Sequence, residues 1–377
     1  LSGRGGATLS PPESLPLLPT TMVGSYPRPR WFTHQLAGKD LLEAFKLIGH
    51  REAYEDATRV VIDDQQGAGL DLLTDGQMWF DDYAMGIGSF LWYWFERIGG
   101  FGKEKLAHPA IGHAKGTTDE FGLDQAGGVA VIGPIEPGPL RLAELFTLAQ
   151  RNARQPVKAC VGAGPIQLST LAHFQDGPIT DRYELSRALA QIFKTEIADL
   201  VKAGCRYIQL EDLGAWIPNL SGERDFAWVA EIVDEVLSDV PDSVHTSWHF
   251  CLGNAWGNQM KGMTRGGYGA VLDRYFSVNV DQYVLDFACR EMADVAVLKG
   301  LPGDKSVAAG VIDVRTLEIE APEQVAERAR KVLEVVDPAR VWLTTDCGMK
   351  QLPREVAVGK LQALVAGAQI VRAELGT

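Results

Sequence analysis

From residue 20 onward, short apolar runs alternate with longer stretches in which apolar residues return every three or four positions. Runs at 20–24, 70–74, 157–161, 207–211, 244–250, 282–286, 306–312 and 340–345 have strand length and are largely apolar, as strands buried on both faces are. Stretches at 184–203, 225–237, 322–336 and 354–374 carry the helical period. Strands separated by helical crossovers predict parallel pairing, and eight of them predict a closed (β/α)8 TIM barrel of the α/β class in place of an open sheet. The segment 77–155 is too long for one crossover. It holds the aromatic run Phe90-Leu91-Trp92-Tyr93-Trp94-Phe95 and a ninth strand-like run at 129–132. This predicts an inserted helix and hairpin between strands two and three. No linker or internal repeat interrupts the pattern, so 20–377 reads as one barrel.

Residues 1–19 lack periodicity and lean on Gly, Ser and Pro, which predicts a disordered leader. They contain no long apolar core before a small-residue cleavage site, so they do not read as a signal peptide. No apolar run reaches ~18 residues, so no membrane span is expected. The chain has 377 residues, 46% hydrophobic and 23% charged, enough for a large core without cross-links. A net charge of −13 with no offsetting basic tract argues against nucleic acid as a partner. Five cysteines, odd in number and irregularly spaced, argue against a disulfide framework and for a reducing, cytoplasmic setting. The aromatic run at 90–95 reads as core or as a subunit contact, so a homo-oligomer stays open.

If the barrel closes, its strand ends are where a site is built. Ser25 and Tyr26 follow the first strand, and Asp75 and Gln77 the second. Glu211 and Asp212 lie at the fourth, His249 and Cys251 at the fifth, Asp286 at the sixth, and Asp346 and Cys347 at the eighth. His249 and Cys251 share one side of an extended segment because side chains alternate with period two. With Cys347 they form a ligand set suited to tetrahedral Zn2+, with a fourth position for a substrate thiol. The same residues also admit a core role, or a closed zinc site that only stabilises the fold. Cys160, Cys205 and Cys289 read as buried small hydrophobes. The Val161–Pro165 glycine-rich turn lacks phosphate-loop spacing and reads as a tight loop.

Several motifs in order carry a family resemblance. They are Thr20-Thr-Met-Val-Gly-Ser-Tyr-Pro27, Gly69-Leu-Asp-Leu-Leu-Thr-Asp-Gly76, Gly164-Pro165, Ala203-Gly-Cys-Arg-Tyr-Ile-Gln-Leu-Glu-Asp212, His249-Phe-Cys251 and Asp346-Cys-Gly-Met-Lys350. Together the chain resembles the C-terminal catalytic barrel of cobalamin-independent methionine synthase and its shorter single-barrel relatives, across nearly all of its length after residue 19. The resemblance implies a zinc-dependent catalytic barrel, with the metal held by His249, Cys251, Cys347 and a carboxylate after strand six. The family's carboxylate is usually glutamate; Asp286 is the matching residue here, with Glu291 the alternative and a helix cap the structural reading of Asp286. The implied chemistry is alkylation of a substrate thiol, since a free thiol near pKa ~8.5 is a weak nucleophile and zinc ionises it.

The partners implied are a small-molecule thiol and a small electrophile. In methionine synthases a glutamate after strand two and an aspartate after strand four hold the homocysteine amino group. Here those positions match Gln77 and Glu211, and Met78-Trp79-Phe80 is apolar where the long synthases carry charge. A short branch of the family opens epoxyalkanes with coenzyme M, a thiol without an amine, and the chain is similar to it in size and layout. The expectation is therefore epoxide opening to 2-hydroxyalkyl-coenzyme M, with methyl transfer from 5-methyltetrahydrofolate to homocysteine as the alternative. For the sulfonate, Ser25 and Arg28 (or Arg30) are the candidate binders. Asp212 and Tyr26 are the candidate proton donors. The metal-free uroporphyrinogen decarboxylases share the barrel type, but His249, Cys251 and Cys347 argue against that reading.

Overall fold

The computed structural model describes residues 15–32, 48–79, 89–104, 106, 128–175, 177–216, 227–254 and 266–376. In chain order the elements are α1 (Ile48–Ala68), β1 (Leu73–Thr74), α2 (Ser89–Arg97), β2 (Gly99–Phe101), β3 (Val129–Glu136), α3 (Leu142–Asn152), β4 (Val157–Val161) and α4 (Pro165–Thr170). There follow β5 (Ala172–Phe174), α5 (Arg182–Lys202), β6 (Tyr207–Glu211), α6 (Ala227–Leu237), β7 (His245–His249), β8 (Gln282–Asp286), β9 (Ser306–Ile312), α7 (Pro322–Leu333), β10 (Val341–Thr345) and α8 (Arg354–Leu375).

Seven strands form a parallel sheet in the order β1-β4-β6-β7-β8-β9-β10. The eighth place is taken by the chain at 19–24. Leu343 N–H donates to the Pro19 carbonyl and Thr21 N–H to the Leu343 carbonyl, at 2.9 and 3.0 Å. On the other side Asp71 and Leu72 N–H both donate to the Thr20 carbonyl at 3.1 Å. The sheet therefore curls onto itself as an α/β barrel, as expected. The segment 20–24 is not a regular strand: only Thr20 bridges Leu343, and its N–H and hydroxyl go to Asp71 Oδ2 at 2.8 and 2.7 Å.

The expected disordered leader does not extend over residues 15–19. Residues 1–14 lie outside the described residues, but Leu18 is fully buried, and Arg372 of α8 donates to the Leu17 and Leu18 carbonyls and to Asp71 at 2.6–3.0 Å. A segment that supplies hydrogen bonds to the sheet must be ordered up to it.

The insertion has more structure than a helix and a hairpin. β2 and β3 pair antiparallel, and β3 also pairs in parallel with β5, which lies beyond β4 in the chain. The aromatic helix α2 is core: Leu91, Trp92, Tyr93, Trp94 and Phe95 are all buried, and Trp94 stacks on Phe193 of α5 at 4.3 Å. α5 shows local rules at both ends. Asp181 caps it by accepting from Glu184 N–H at 2.9 Å, and Gly204 follows it at φ +93°. α8 is long and apolar enough by length and composition to cross a membrane, which the search for unbroken apolar runs missed. Here it packs on α7 and α1, with Lys360 buried against Glu320 at 2.9 Å, as a barrel helix does.

Period-two alternation fills the barrel interior in layers. One end holds Leu72, Tyr207, Val284, Ala308 and Trp342 as a separate apolar cluster. Above it Lys158 donates to Gln209 Oε1 at 2.5 Å and to the Met22 carbonyl at 3.0 Å. The layer beyond carries Glu211, His249, Asp286 and Asp346. Replacing Arg372 by Met removes three hydrogen bonds from the closing segment and should lower the unfolding free energy by about 2 kcal/mol, read by urea titration.

Candidate metal centre and substrate pocket

His249 ends β7, and Cys251 follows two residues on, on the same face. Trp248 and Phe250 point the other way into an aromatic layer with Tyr275, at ring separations of 5.1 and 5.8 Å. Trp216 fixes the turn by donating from Nε1 to the Cys251 carbonyl at 2.8 Å. Gly253, at φ +90°, lets its own N–H return to Cys251 Sγ at 3.3 Å. Cys347 follows β10 in a loop held by Met349 N–H to the Ser25 carbonyl (2.7 Å) and Asn254 Nδ2 to the Gly348 carbonyl (3.0 Å). A Cβ on Gly348 would sit 1.9 Å from Ser25 Oγ and 3.2 Å from Ser25 Cβ, so any larger residue there must displace the Ser25 side chain. Ser25 thus packs beside the Cys347 loop.

These elements bring ligand atoms of His249, Cys251 and Cys347 within 4.8 Å of one another. The two sulfurs are 3.5 Å apart, close to the ~3.7 Å that two Zn–S bonds of ~2.3 Å require in a tetrahedron. His249 Nε2 is buried and has no hydrogen-bond partner among the described residues. Burial, with Lys158 and Arg315 nearby, lowers the imidazole to about 3, so the ring is neutral and able to ligate. The Cys251 thiol is pushed up by its hydrogen bond with Cys347 and by burial. An orphaned imidazole nitrogen facing two close sulfurs fits a thiophilic divalent metal.

Asp286, expected as the fourth ligand, lies outside that group. It clusters instead with Cys289 and Asp346. Arg315 Nη2 donates to its Oδ2 at 2.7 Å, Leu252 N–H to both oxygens at 3.0 and 3.1 Å, and the Tyr268 hydroxyl to Oδ1. Glu291, the alternative, is exposed at φ +53° and faces away. An aspartate is one methylene shorter than the family's glutamate, and here the nearest cation is a guanidinium.

The second strand end and the fourth meet as expected. Gln77 Nε2 donates to Glu211 Oε2 at 3.1 Å and to the Cys160 carbonyl at 3.3 Å. Gln209 Nε2 donates to Glu211 Oε1 at 2.8 Å. Burial raises Glu211 to about 7. A Cβ on Gly24 would lie 2.8 Å from Gln77 Oε1 and 3.1 Å from Glu211 Oε1, so both oxygens converge over that glycine. Glu211 is the register partner of His249, which places this pocket beside the metal centre.

Three further residues expected in chemical roles have these contacts in the fold. Asp212 is fully buried, and its carboxylate accepts from Ile166, Gln167 and Gly214 N–H at 2.8–3.0 Å. It caps the start of α4 and the turn after β6, and burial raises its carboxyl to about 7. Tyr26 is fully buried, beside Asp64 of α1 and Arg354 of α8, between barrel and helices, away from the site. Arg28 donates to the Tyr26 and Gln77 carbonyls at 2.7 and 2.6 Å, stapling two strand-end loops together. Arg30 is exposed.

Comparison with known proteins bears on which chemistry this geometry serves. Residues 123–370 match the family described as the cobalamin-independent synthase catalytic domain. The chain belongs to that family. A methionine synthase of Saccharolobus solfataricus is 30% identical over 366 residues, covering 96% of this chain and 97% of the relative. One of Sulfolobus acidocaldarius is 30% identical over 368 residues, covering 96% and 95%. Among solved structures, a B12-independent methionine synthase from Shewanella sp. W3-18-1 in complex with selenomethionine superposes with a TM-score of 0.77 at 27% identity, covering 96% of this chain and 99% of that one. A Listeria monocytogenes structure at 18% identity shares the fold, with a TM-score of 0.63.

As a cobalamin-independent synthase-type barrel, the chain is an enzyme of the methionine synthase-like class. These relatives are named methionine synthases, which fits the methyl-transfer alternative better than the epoxide-opening expectation, for which the comparisons give no support. Sequence reading of this synthase barrel missed Arg315, Tyr268, Lys158 and Gln209. Lys158 and Gln209 were legible as charged or amide residues inside apolar strands; Arg315 and Tyr268 lie in loops whose destination no local pattern reveals. Asp212→Ala should cost about 2–3 kcal/mol of stability by urea titration, since three buried N–H groups lose their acceptor. Tyr26→Phe should leave turnover within about twofold of the parent, whereas loss of a true general acid costs about a hundredfold or more.

Proposed function

We propose that this barrel transfers a methyl group to the sulfur of homocysteine, giving methionine, on a zinc ion held by His249, Cys251 and Cys347. The observation that carries the reading is the pair of oxygens, Gln77 Oε1 and Glu211 Oε1, converging over Gly24 next to that centre. An α-ammonium is the group such a pocket suits, and coenzyme M has none. Gln77 in place of a second carboxylate does not disable the pocket. Its amide nitrogen is spent on Glu211 and Cys160, which turns its oxygen towards the same point. The substitution keeps two acceptors and removes one like-charge repulsion.

Zinc, when bound, would hold the substrate sulfur as a thiolate and so keep it nucleophilic at neutral pH. The residues of the chain supply the rest. Glu211 and Gln77 fix the amino end of homocysteine, so that the sulfur is presented towards His249, Cys251 and Cys347. Lys158, through Gln209, holds the Glu211 carboxylate in place and favours its charged form. The methyl group passes from a leaving nitrogen to sulfur; the thiol proton is released and the leaving atom takes one up. 5-Methyltetrahydrofolate is a donor of that class.

Calorimetric titration of the zinc-loaded chain tests the acceptor. Homocysteine should bind with release of about one proton, as expected when a metal-bound thiol ionises, and coenzyme M should give no comparable heat. Coenzyme M binding in preference to homocysteine would restore epoxide opening. Glu211→Gln should raise the KM for homocysteine by about a hundredfold or more, as loss of one partner of a buried charge pair does, with zinc content unchanged. Gly24→Ala should act in the same direction, its methyl filling the ammonium place. Stripping the metal with a chelator should abolish transfer, and zinc should restore it.

A further inference from the structure

We propose that Arg315 is a positioning residue that keeps Asp286 out of the metal's coordination, so that three protein ligands, not four, hold the ion and an exogenous ligand always takes the fourth place. The inference rests on the zinc reading above and specifies its ligand set. It begins from the donors around Asp286. A carboxylate has about four lone-pair sites, and four donors surround this one: Leu252 N–H, the Tyr268 hydroxyl, Arg315 Nη2 and the Cys289 thiol, whose Sγ lies 3.7 Å from Oδ2. No lone pair remains for a metal.

Arg315 is placed to hold this arrangement. Its side chain is 4% exposed, and it spans both cysteine loops. Nε and Nη2 donate to the Gly253 carbonyl at 2.8 and 2.5 Å, two residues past Cys251. Nη1 donates to Asp346 Oδ2 at 3.3 Å, one residue before Cys347. Asp346 in turn accepts from Phe287, Ala288 and Cys289 N–H at 2.7–3.1 Å, the turn that follows Asp286. One planar guanidinium with five N–H donors therefore locks Asp286, the Cys251 loop and the Cys347 loop as a unit, which a lysine could not reproduce.

The charge balance favours the same state. Two thiolates neutralise Zn2+, and a third from the substrate leaves the centre at −1. The fixed positive charge of Arg315 beside both cysteine loops offsets it, whereas an Asp286 ligand would add a further negative charge to the centre. Holding the carboxylate away thus favours thiolate as the fourth ligand.

Metal coordination read directly, apart from turnover, tests this. Zinc stoichiometry and the ligand-field spectrum of the Co2+-substituted full chain are measured for the parent, Asp286→Asn, Arg315→Met and the double variant. Asp286→Asn should leave the Co2+ spectrum unchanged and lower zinc affinity by no more than about tenfold, the low end for residues that support a ligand. Arg315→Met should change the spectrum as the freed carboxylate enters, and adding Asp286→Asn should restore it. A changed spectrum in Asp286→Asn, or an unchanged one in folded Arg315→Met, overturns the proposal. If Arg315→Met does not fold, the Asp286→Asn spectrum decides alone. A parent chain that binds no metal overturns the zinc reading itself, whereas a metal-binding parent with an altered Asp286→Asn spectrum overturns only the role of Arg315.

Discussion

Closure of the parallel sheet by the chain at 19–24 is the constraint on which the site depends. Pro19 and Thr21 bond to Leu343, and Thr20 bonds to Asp71 and Leu72, so one short segment joins the first and last strands. With the ring closed, period-two alternation aims Glu211, His249, Asp286 and Asp346 at a common axis. In an open sheet the same alternation would spread them along a face, and Cys347 would not meet Cys251. Arg372, at the far end of the chain, holds the closing segment in register.

Within the closed barrel, buried charge is handled in two separate networks. One runs from Lys158 through Gln209 to Glu211 and Gln77, the acceptor pair that the proposed function assigns to an ammonium group. The other joins Arg315 to Asp286 and Asp346, and ties together the loops that carry Cys251 and Cys347. Each buried ion has a counter-ion or a fan of backbone donors, as burial demands. Asp212 belongs to neither network: three backbone N–H groups take its oxygens.

The resemblance to methionine synthases and the geometry agree on the class of enzyme, and their sharpest difference lies at the expected carboxylate ligand. The position that matches the family's glutamate ligand is Asp286, and its carboxylate is bound to Arg315, Leu252 and Tyr268. A shorter side chain together with a cation from the loop after β9 changes the partner of the group without changing the fold around it.

Much of the fold was legible locally. The strands at 157–161, 207–211, 282–286 and 306–312 were bounded correctly from apolar runs alone, because both faces of a barrel strand are buried and the run ends where burial ends. His-x-Cys and Asp-Cys-Gly were legible as candidate ligands because their spacing fits strand ends, and the fold brings His249, Cys251 and Cys347 together. What no local pattern held was the direction of polar side chains in loops. Asp212, Tyr26 and Arg28 read as chemistry because they stand beside chemistry in the chain, yet they serve helix capping, packing and loop stapling. Arg315 and Tyr268 carried no signal, because their partners lie 18 to 62 residues away. The sequence by itself determined which residues have strand period and which could ligate a metal. Only the tertiary structure decided which carboxylate faces a cation, a backbone amide or the metal centre, since that choice is made by neighbours that folding brings in from other strands.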